Sequence, residues 1–515
     1  MTARATPALM LQGTGSHAGK TVLAAGLCRL LVRAGLRVLP FKAQNMSNNA
    51  WVTDAGEEMG WAQAMQAEAA GVAPAVDMNP VLLKPESDQR CQVIRLGRPF
   101  ATVAAREYAR LGPRLWPAIA ASYARLARAA DVLVIEGAGS PAEPNLMRRD
   151  LANMRVARLA RARVLIVGDI DRGGVFASLA GTMALLPASE RRLVSGFILN
   201  KFRGDPSLLG RAPDDLRRRT GKPVLGVVPL LPGLGLPEED SLGLERPRIT
   251  GAAPGDLRIV VLRLPAIANT TDLAPLEGEP GVTLSYAQQP ADLAEADLLV
   301  LPGSKDTLSD LAHLVAGGYA PRIRAHAAAG RAVLGICGGY QMLGARVEDP
   351  DHVERGGAAP GLGLLPVTTR LRKPKTTRRV RARWLPDGPP FDGYEIHAGA
   401  TVATPAARAL VEVDGRPVGA AAPEGRVWGL YVHGLFESAA SRRHVLAWAG
   451  APSARRGEPA PARTPAPART PAPDRTPAPA RTEDHRAVRE AAYDRLADAL
   501  EASVGSTVIR RLLGR

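Results

Sequence analysis

Leu9-Met10-Leu11-Gln12-Gly13-Thr14-Gly15-Ser16-His17-Ala18-Gly19-Lys20-Thr21 runs from an apolar strand through a glycine-rich loop into a helix. In that context the loop reads as a phosphate-binding loop. Backbone N–H groups in such a turn point at phosphate oxygens, and the helix opening at its end adds partial positive charge. Lys20 would reach the terminal phosphates of ATP, and the Thr21 hydroxyl would ligate Mg2+. Gly13, Thr14, Gly15 and Gly19 would line the cradle. Five residues separate Gly13 from Gly19-Lys20, one more than the strict pattern allows.

Outward from this loop the chain alternates strands and helices. A helix is predicted over Thr21–Ala34 and a strand over Arg37–Phe41, with further apolar runs at Val132–Ile135, Val164–Val167, Val194–Leu199 and Val224–Val228. Apolar strands separated by helices predict a parallel sheet covered on both faces. Ligands of such sheets bind beyond the carboxyl ends of the strands. Lys42 ends the second strand and would face phosphate. Glu136 opens Glu136-Gly137-Ala138-Gly139 and is placed to hold Mg2+, directly or through water. Asp169 and Asp171 end the next strand, where they would hold metal (Asp169) or substrate (Asp171), or cap a helix. Asn200 ends a further strand and would read the nucleotide base. In Gln44-Asn45-Met46-Ser47-Asn48-Asn49, the side chains of Gln44, Asn45, Ser47 and Asn48 suit a polar substrate bearing carboxylates and amides.

Pro232–Gly255 is rich in Gly, Pro and acidic residues and reads as a boundary. Alternation then resumes at Arg258–Leu264, Leu298–Leu301 and Ala332–Ile336, predicting a second α/β domain. Gly335-Ile336-Cys337-Gly338-Gly339-Tyr340-Gln341 follows its strand as a nucleophile elbow with Cys in place of Ser. Glycines permit the strained turn, and the following helix favours thiolate over thiol. The N–H of Gly338, with Gly303 of Leu301-Pro302-Gly303-Ser304, would donate to an oxyanion. A Cys nucleophile needs a base. His433 in Tyr431-Val432-His433-Gly434 is the first candidate and His397 its competitor.

From Ala451 to Thr482 the chain repeats Ala-Arg-Thr-Pro-Ala-Pro with small variations and should be an extended linker. Glu483–Arg515 returns to helical periodicity, with Val488, Ala492, Leu496 and Leu500 on one face, and is expected to pack on the second domain. The expected divisions are 1–235, a linker 236–256, 257–450, the Pro/Ala segment 451–482 and a terminal helix 483–515. Three scattered cysteines exclude a disulfide framework. With no apolar run of about 18 residues and no signal pattern at Met1–Ala8, no membrane segment and a cytoplasmic location are expected. The net charge of +16 raises nucleic acid as a partner, but the excess is dispersed arginine and aromatics are only 4%, so no nucleic-acid partner is expected.

The Cys337 segment with its distant His resembles the class I glutamine amidotransferases, and the first domain resembles dethiobiotin synthetase, with the same long loop spacing and Glu-Gly-Ala-Gly motif. Both halves in this order resemble the cobyrinate amidotransferase family of corrin biosynthesis over residues 8–450. The stretches Phe41–Asn49, Asp77–Pro85, Glu136–Glu143 and Asp169–Phe176 carry that resemblance. It implies two doubly wound α/β domains, the first like a P-loop NTPase and the second like a class I amidotransferase. It also implies ATP, Mg2+ and glutamine as ammonia donor, a small-molecule corrinoid substrate, and amidation of the b, d, e and g carboxylates of adenosylcobyrinic acid a,c-diamide. A homo-oligomer is compatible with it. In that reading Cys337 and His433 form the glutaminase dyad. Many class I members carry Glu two residues after the His; here Leu435 stands there and Glu437 lies further on, so the third partner is unassigned. A related amidotransferase, such as an a,c-diamide synthase, and a P-loop regulatory ATPase are the alternatives. The second is disfavoured because Gln12-Gly13-Thr14 lacks the extra loop lysine those ATPases usually carry.

Overall fold

A computed structural model describes residues 6–87, 90–237, 249–250, 256–451 and 483–514. It divides the chain into two units, residues 1–239 with 489–515, and residues 240–488. The Pro/Ala segment expected as a linker lies outside the described residues, apart from Ala451.

In the first unit, β1 (Ala8–Gly13), β2 (Val38–Phe41), β3 (Val132–Glu136), β4 (Arg163–Asp169), β5 (Val194–Phe202) and β6 (Val224–Pro229) form one sheet in the order β6-β5-β4-β1-β3-β2. Every pairing is parallel. The interior strands are buried along their apolar residues, which explains their continuous apolar runs in the sequence. β1 lies between β3 and β4, so chain direction diverges at its carboxyl end. Helix α1 (Lys20–Arg33) follows, and Gly35 at φ 81° turns the chain out of it. Helix α2 (Trp61–Ala69) buries every residue but Glu68. A small four-stranded sheet joins Gln44–Met46, Val81–Ser87, Arg90–Arg95 and Arg98–Ala104.

In the second unit, β7 (Leu257–Leu262), β8 (Val282–Ala287), β9 (Leu298–Leu301), β10 (Ala332–Ile336) and β11 (Val427–Leu430) pair in parallel in the order β8-β7-β9-β10-β11. Ile249–Thr250, inside the expected linker, adds an antiparallel edge to β8. Helix α3 (Gly338–Leu343) leaves the end of β10. A second sheet, not anticipated from the sequence, is built on a long hairpin of Val367–Trp384 and Pro390–Ala403. The apolar run Val427–Val432 therefore serves both sheets: β11 pairs with β10, and Val432–His433 pairs with Pro390–Ala403.

The chain terminus differs from expectation. Helix α4 (His485–Ser503) ends near Gly505 at φ 81°, and a second helix, α5 (Ser506–Leu512), follows. Residues from Arg489 onward group with the first unit, not the second. Tyr493, Ala497 and Leu500 complete the apolar cluster that contains Leu23 and Leu27 of α1. Gly26 permits this approach, because a Cβ there would lie 2.8 Å from Leu500 Cδ1. Arg33 pairs with Asp494 at 2.8 Å and Asp498 at 2.6 Å, while Arg489 and Tyr493 both reach Glu68 of α2 at 2.7 Å. Each fully buried leucine in such a contact contributes about 1.5–3 kcal/mol.

Candidate functional site

In the first unit, the loop between β1 and α1 folds under close backbone constraints. A Cβ on Gly13 would lie 2.8 Å from Gly15 O, and one on Gly19, at φ 93°, would lie 2.1 Å from Asn200 Nδ2. Lys20 Nζ donates to Gly15 O at 2.9 Å, and Thr14 N to Val167 O at 3.0 Å. Asn200 Nδ2 donates to Ala18 O at 2.9 Å, so this side chain, expected to read a base, braces the loop.

Three side chains converge on Glu136, which is fully buried at the end of β3. Thr21 Oγ1 and Lys42 Nζ each lie 2.8 Å from Oε1, and Gln66 Nε2 lies 2.6 Å from Oε2. A buried carboxylate is costly unless paired and hydrogen-bonded, and these donors meet both conditions. The 2.8 Å between Thr21 Oγ1 and Glu136 Oε1 is close to the roughly 3 Å between adjacent ligands of an octahedral ion with bonds of about 2.0–2.1 Å. The pair therefore fits Mg2+. Asp169 is not brought to it. Its Oδ2 pairs with Lys201 Nζ at 2.8 Å, and the same ammonium donates to His17 O at 2.7 Å. Asp171 pairs with Arg203 at 2.6 Å on the surface. Among the described residues, no group of three or more His, Cys, Asp or Glu is arranged to hold a metal.

The expected substrate loop is largely engaged within the protein. Asn45 Nδ2 donates to Gln63 Oε1 at 3.1 Å, and Asn45 Oδ1 accepts from Met46 N at 2.9 Å. Ser47 Oγ accepts from Asn49 N at 3.0 Å, Asn48 Nδ2 donates to Pro85 O at 3.1 Å, and Gln44 Oε1 accepts from Tyr108 at 2.6 Å. In the Asp-Met-Asn-Pro stretch, Asn79 joins Lys42 O, Gly60 N and Val81 O through bonds of 3.1, 2.9 and 3.0 Å. It positions the end of β2, from which Lys42 reaches Glu136.

In the second unit, Cys337 sits between β10 and α3 at φ 53°, a left-handed conformation uncommon for a non-glycine residue. Its neighbours must be glycine: a Cβ on Gly339 would stand 1.9 Å from Leu301 O, and one on Gly338 2.7 Å from Ser304 N. The thiol is 8% exposed and lies 3.7 Å from Ile396 O. His433 is fully buried, and the Cys337 thiol is among the groups that raise it. A Cβ on Gly303 would lie 3.7 Å from His433 Cε1, so Gly303, Gly338, Cys337 and His433 gather at one place. His433 Nδ1 lies 2.6 Å from Asp272 Oδ2, whose Oδ1 accepts from Gly434 N at 3.0 Å. Burial opposes the imidazolium, but the Asp272 carboxylate and its hydrogen bond, with Cys337, prevail and raise His433 from 6.5 to about 10. His397 is different. It stacks on Tyr431 with centroids 3.7 Å apart and has Nδ1 2.9 Å from Gly399 O. Burial pushes it down to about 4, leaving a neutral ring.

Two contributors escaped sequence reading. Asp272 lies 161 residues before His433 in a 3-10 turn, so spacing carried no sign of it. Gln66 reads as part of an apolar helix; its only signal is an amide in a helix that is otherwise nearly all buried.

Comparison with known proteins agrees with both folds. Residues 9–242 match the CobQ/CobB/MinD/ParA nucleotide binding domain, and residues 258–441 match the CobB/CobQ-like glutamine amidotransferase domain. A nucleotide-binding domain joined to this amidotransferase domain defines a glutamine-dependent amidotransferase ligase. The chain is 48% identical to the cobyric acid synthase of Sorangium cellulosum, covering 98% of both chains. It is 47% identical to that of Desulforudis audaxviator over 100% of both, and 49% identical to that of Moorella thermoacetica over 88% of this chain and 90% of the relative. The chain belongs to the cobyric acid synthase family. No helix among the described residues is long and apolar enough to cross a membrane.

Proposed function

We propose that the protein amidates the b, d, e and g carboxylates of adenosylcobyrinic acid a,c-diamide, using ATP and glutamine. The observation that carries the reading is the presence, in one chain, of the Thr21–Glu136–Lys42 cluster beside a phosphate-type loop and the Cys337–His433–Asp272 array. Near full-length identity to cobyric acid synthases supports the substrate.

In the glutaminase step the Cys337 thiolate attacks the side-chain amide carbon of glutamine. The N–H groups at Gly303 and Gly338 stabilise the oxyanion. His433 gives its proton to the departing nitrogen, releasing ammonia and leaving a thioester. Water then adds, His433 takes its proton, and glutamate leaves with the thiolate restored. Asp272 keeps the proton on Nδ1, so the other ring nitrogen serves Cys337.

In the synthetase step a corrin carboxylate oxygen attacks the terminal phosphorus of ATP, forming an acyl phosphate and ADP. Ammonia adds to the acyl carbon, and phosphate leaves as a proton is lost from nitrogen. Lys20 leaves Gly15 O to meet the phosphates, and Lys42 faces the charge on the transferred group. Thr21 and Glu136 would hold Mg2+, which neutralises phosphate charge when bound.

The test is mass spectrometry of cobyrinic acid a,c-diamide incubated with the protein, Mg·ATP and glutamine. Successive exchanges of hydroxyl for amino are expected. An unchanged corrin with glutaminase intact would overturn the substrate while leaving the amidotransferase class standing.

A further inference from the structure

Helix α2 carries a buried amide that the steps above leave unused. Gln66 is fully buried, and its Nε2 donates to Glu136 Oε2 at 2.6 Å. Its Oε1 is buried and has no hydrogen-bond partner among the described residues. Native proteins leave few buried acceptors unsatisfied, and an ion or its water is a common completion. Exchanging the two ends of the amide would not cure this, because oxygen would then oppose the Glu136 carboxylate. Glu136 thus fixes the orientation, and the orphan oxygen lies one amide group from the carboxylate whose Oε1 meets Thr21 at 2.8 Å.

We propose that Gln66 is a positioning and selectivity residue for the divalent cation, an inference resting on the reading of Thr21 and Glu136 as its ligands. The Gln66 N–H occupies Glu136 Oε2, so the carboxylate can offer only Oε1, and it does so once Lys42 Nζ turns from its 2.8 Å contact there toward phosphate. The Gln66 Oε1 accepts a hydrogen bond from water carried by the cation. Mg2+ keeps several waters and demands near-octahedral geometry, whereas Ca2+ readily takes both oxygens of a carboxylate. Holding one oxygen back and supporting a bound water both favour Mg2+ over Ca2+.

The experiment is a binding titration rather than an assay of turnover. Free Mn2+ is followed by electron paramagnetic resonance with the full chain and a non-hydrolysable ATP analogue, and Mg2+ and Ca2+ are then added as competitors. Gln66→Met keeps side-chain length and removes both polar atoms. It should weaken Mn2+ binding about tenfold or more and narrow the preference for Mg2+ over Ca2+. A folded Gln66→Met protein with wild-type Mn2+ affinity and Mg2+/Ca2+ preference would overturn the proposal, as would a lower melting temperature with no change in cation preference. If that variant does not fold, Gln66→Leu decides. It also removes donor and acceptor without adding charge beside Glu136, so Ca2+ should gain on Mg2+, and an unchanged ratio overturns the role. Wild-type protein that takes up no Mn2+ beside nucleotide would overturn the cation site itself, a result distinct from failure of Gln66 alone.

Discussion

Asp272→Asn is the perturbation that best separates the array around His433 from a simple Cys–His pair. The carboxylate meets Nδ1 at 2.6 Å and Gly434 N at 3.0 Å, both buried. In the variant the amide oxygen still accepts from Gly434 N, so the local backbone stays in place. The NH2 group then faces Nδ1, which must become an acceptor. The ring proton moves to the nitrogen serving Cys337, which can no longer take the thiol proton. The raising of His433 from 6.5 to about 10 corresponds to about 5 kcal/mol in favour of the imidazolium. Without the charge on Asp272, burial acts against the imidazolium with only Cys337 opposing it. Glutamine-dependent kcat should fall on the order of 10³–10⁴-fold, as for the same change in a Ser-His-Asp triad. The assay compares corrin amidation with glutamine and with free ammonium. Ammonium-driven amidation should be unchanged. A fall of less than about tenfold, or an equal loss with ammonium, would refute the reasoning.

Cys337→Ala should abolish glutamine use and retain ammonium-dependent amidation, whereas Lys20→Ala should abolish both; steady-state assays with each nitrogen source check this. Because His433 is raised on folding, its contribution to stability is complete below pH 6.5 and is lost as pH rises to about 10. Thermal melting of the wild type should decline across that window more steeply than that of Asp272→Asn. Gly339→Ala drives a Cβ to 1.9 Å from Leu301 O, so it should cost about 1–3 kcal/mol or more and eliminate glutaminase activity, read by denaturant titration and by glutamate release. Leu500→Ala, fully buried against α1, should cost about 2–5 kcal/mol, measured by the denaturant midpoint of the first unit's transition.

What the sequence made legible follows from the range of the interactions concerned. β1, its loop and α1 are contiguous, and their signals are local: an apolar run, glycines that close backbone approach demands, and Lys20-Thr21 at the helix start. The elbow at Cys337 leaves an equally local motif, although part of what writes it is distant in sequence: Leu301 O of β9 leaves Gly339 no room for a side chain. The terminal helix was legible as a helix but not in its docking. Its periodicity identifies an apolar face, whereas the surface receiving it depends on Gly26 and on Arg29 and Arg33, hundreds of residues earlier. The loop at Asn45, Ser47 and Asn48 was legible in its chemistry but not in its internal contacts. Amides and hydroxyls suit ligand contacts and equally satisfy a loop's own backbone, and the bonds to Gln63, Asn49 and Pro85 leave no pattern of their own along the chain.

Asp272 and Gln66 illustrate the same limit at the chemical centres. Each acts by holding a group that the sequence does identify, His433 in one case and Glu136 in the other. A nucleophile or a phosphate loop constrains its own neighbours along the chain and so leaves a motif. A side chain that orients it needs only to arrive at 2.6 Å from another element, and any turn or helix with suitable packing can deliver it. The absence of Glu at position 435 therefore did not imply a bare dyad. The carboxylate comes from a different segment, and the geometry at Nδ1 is what a third partner requires.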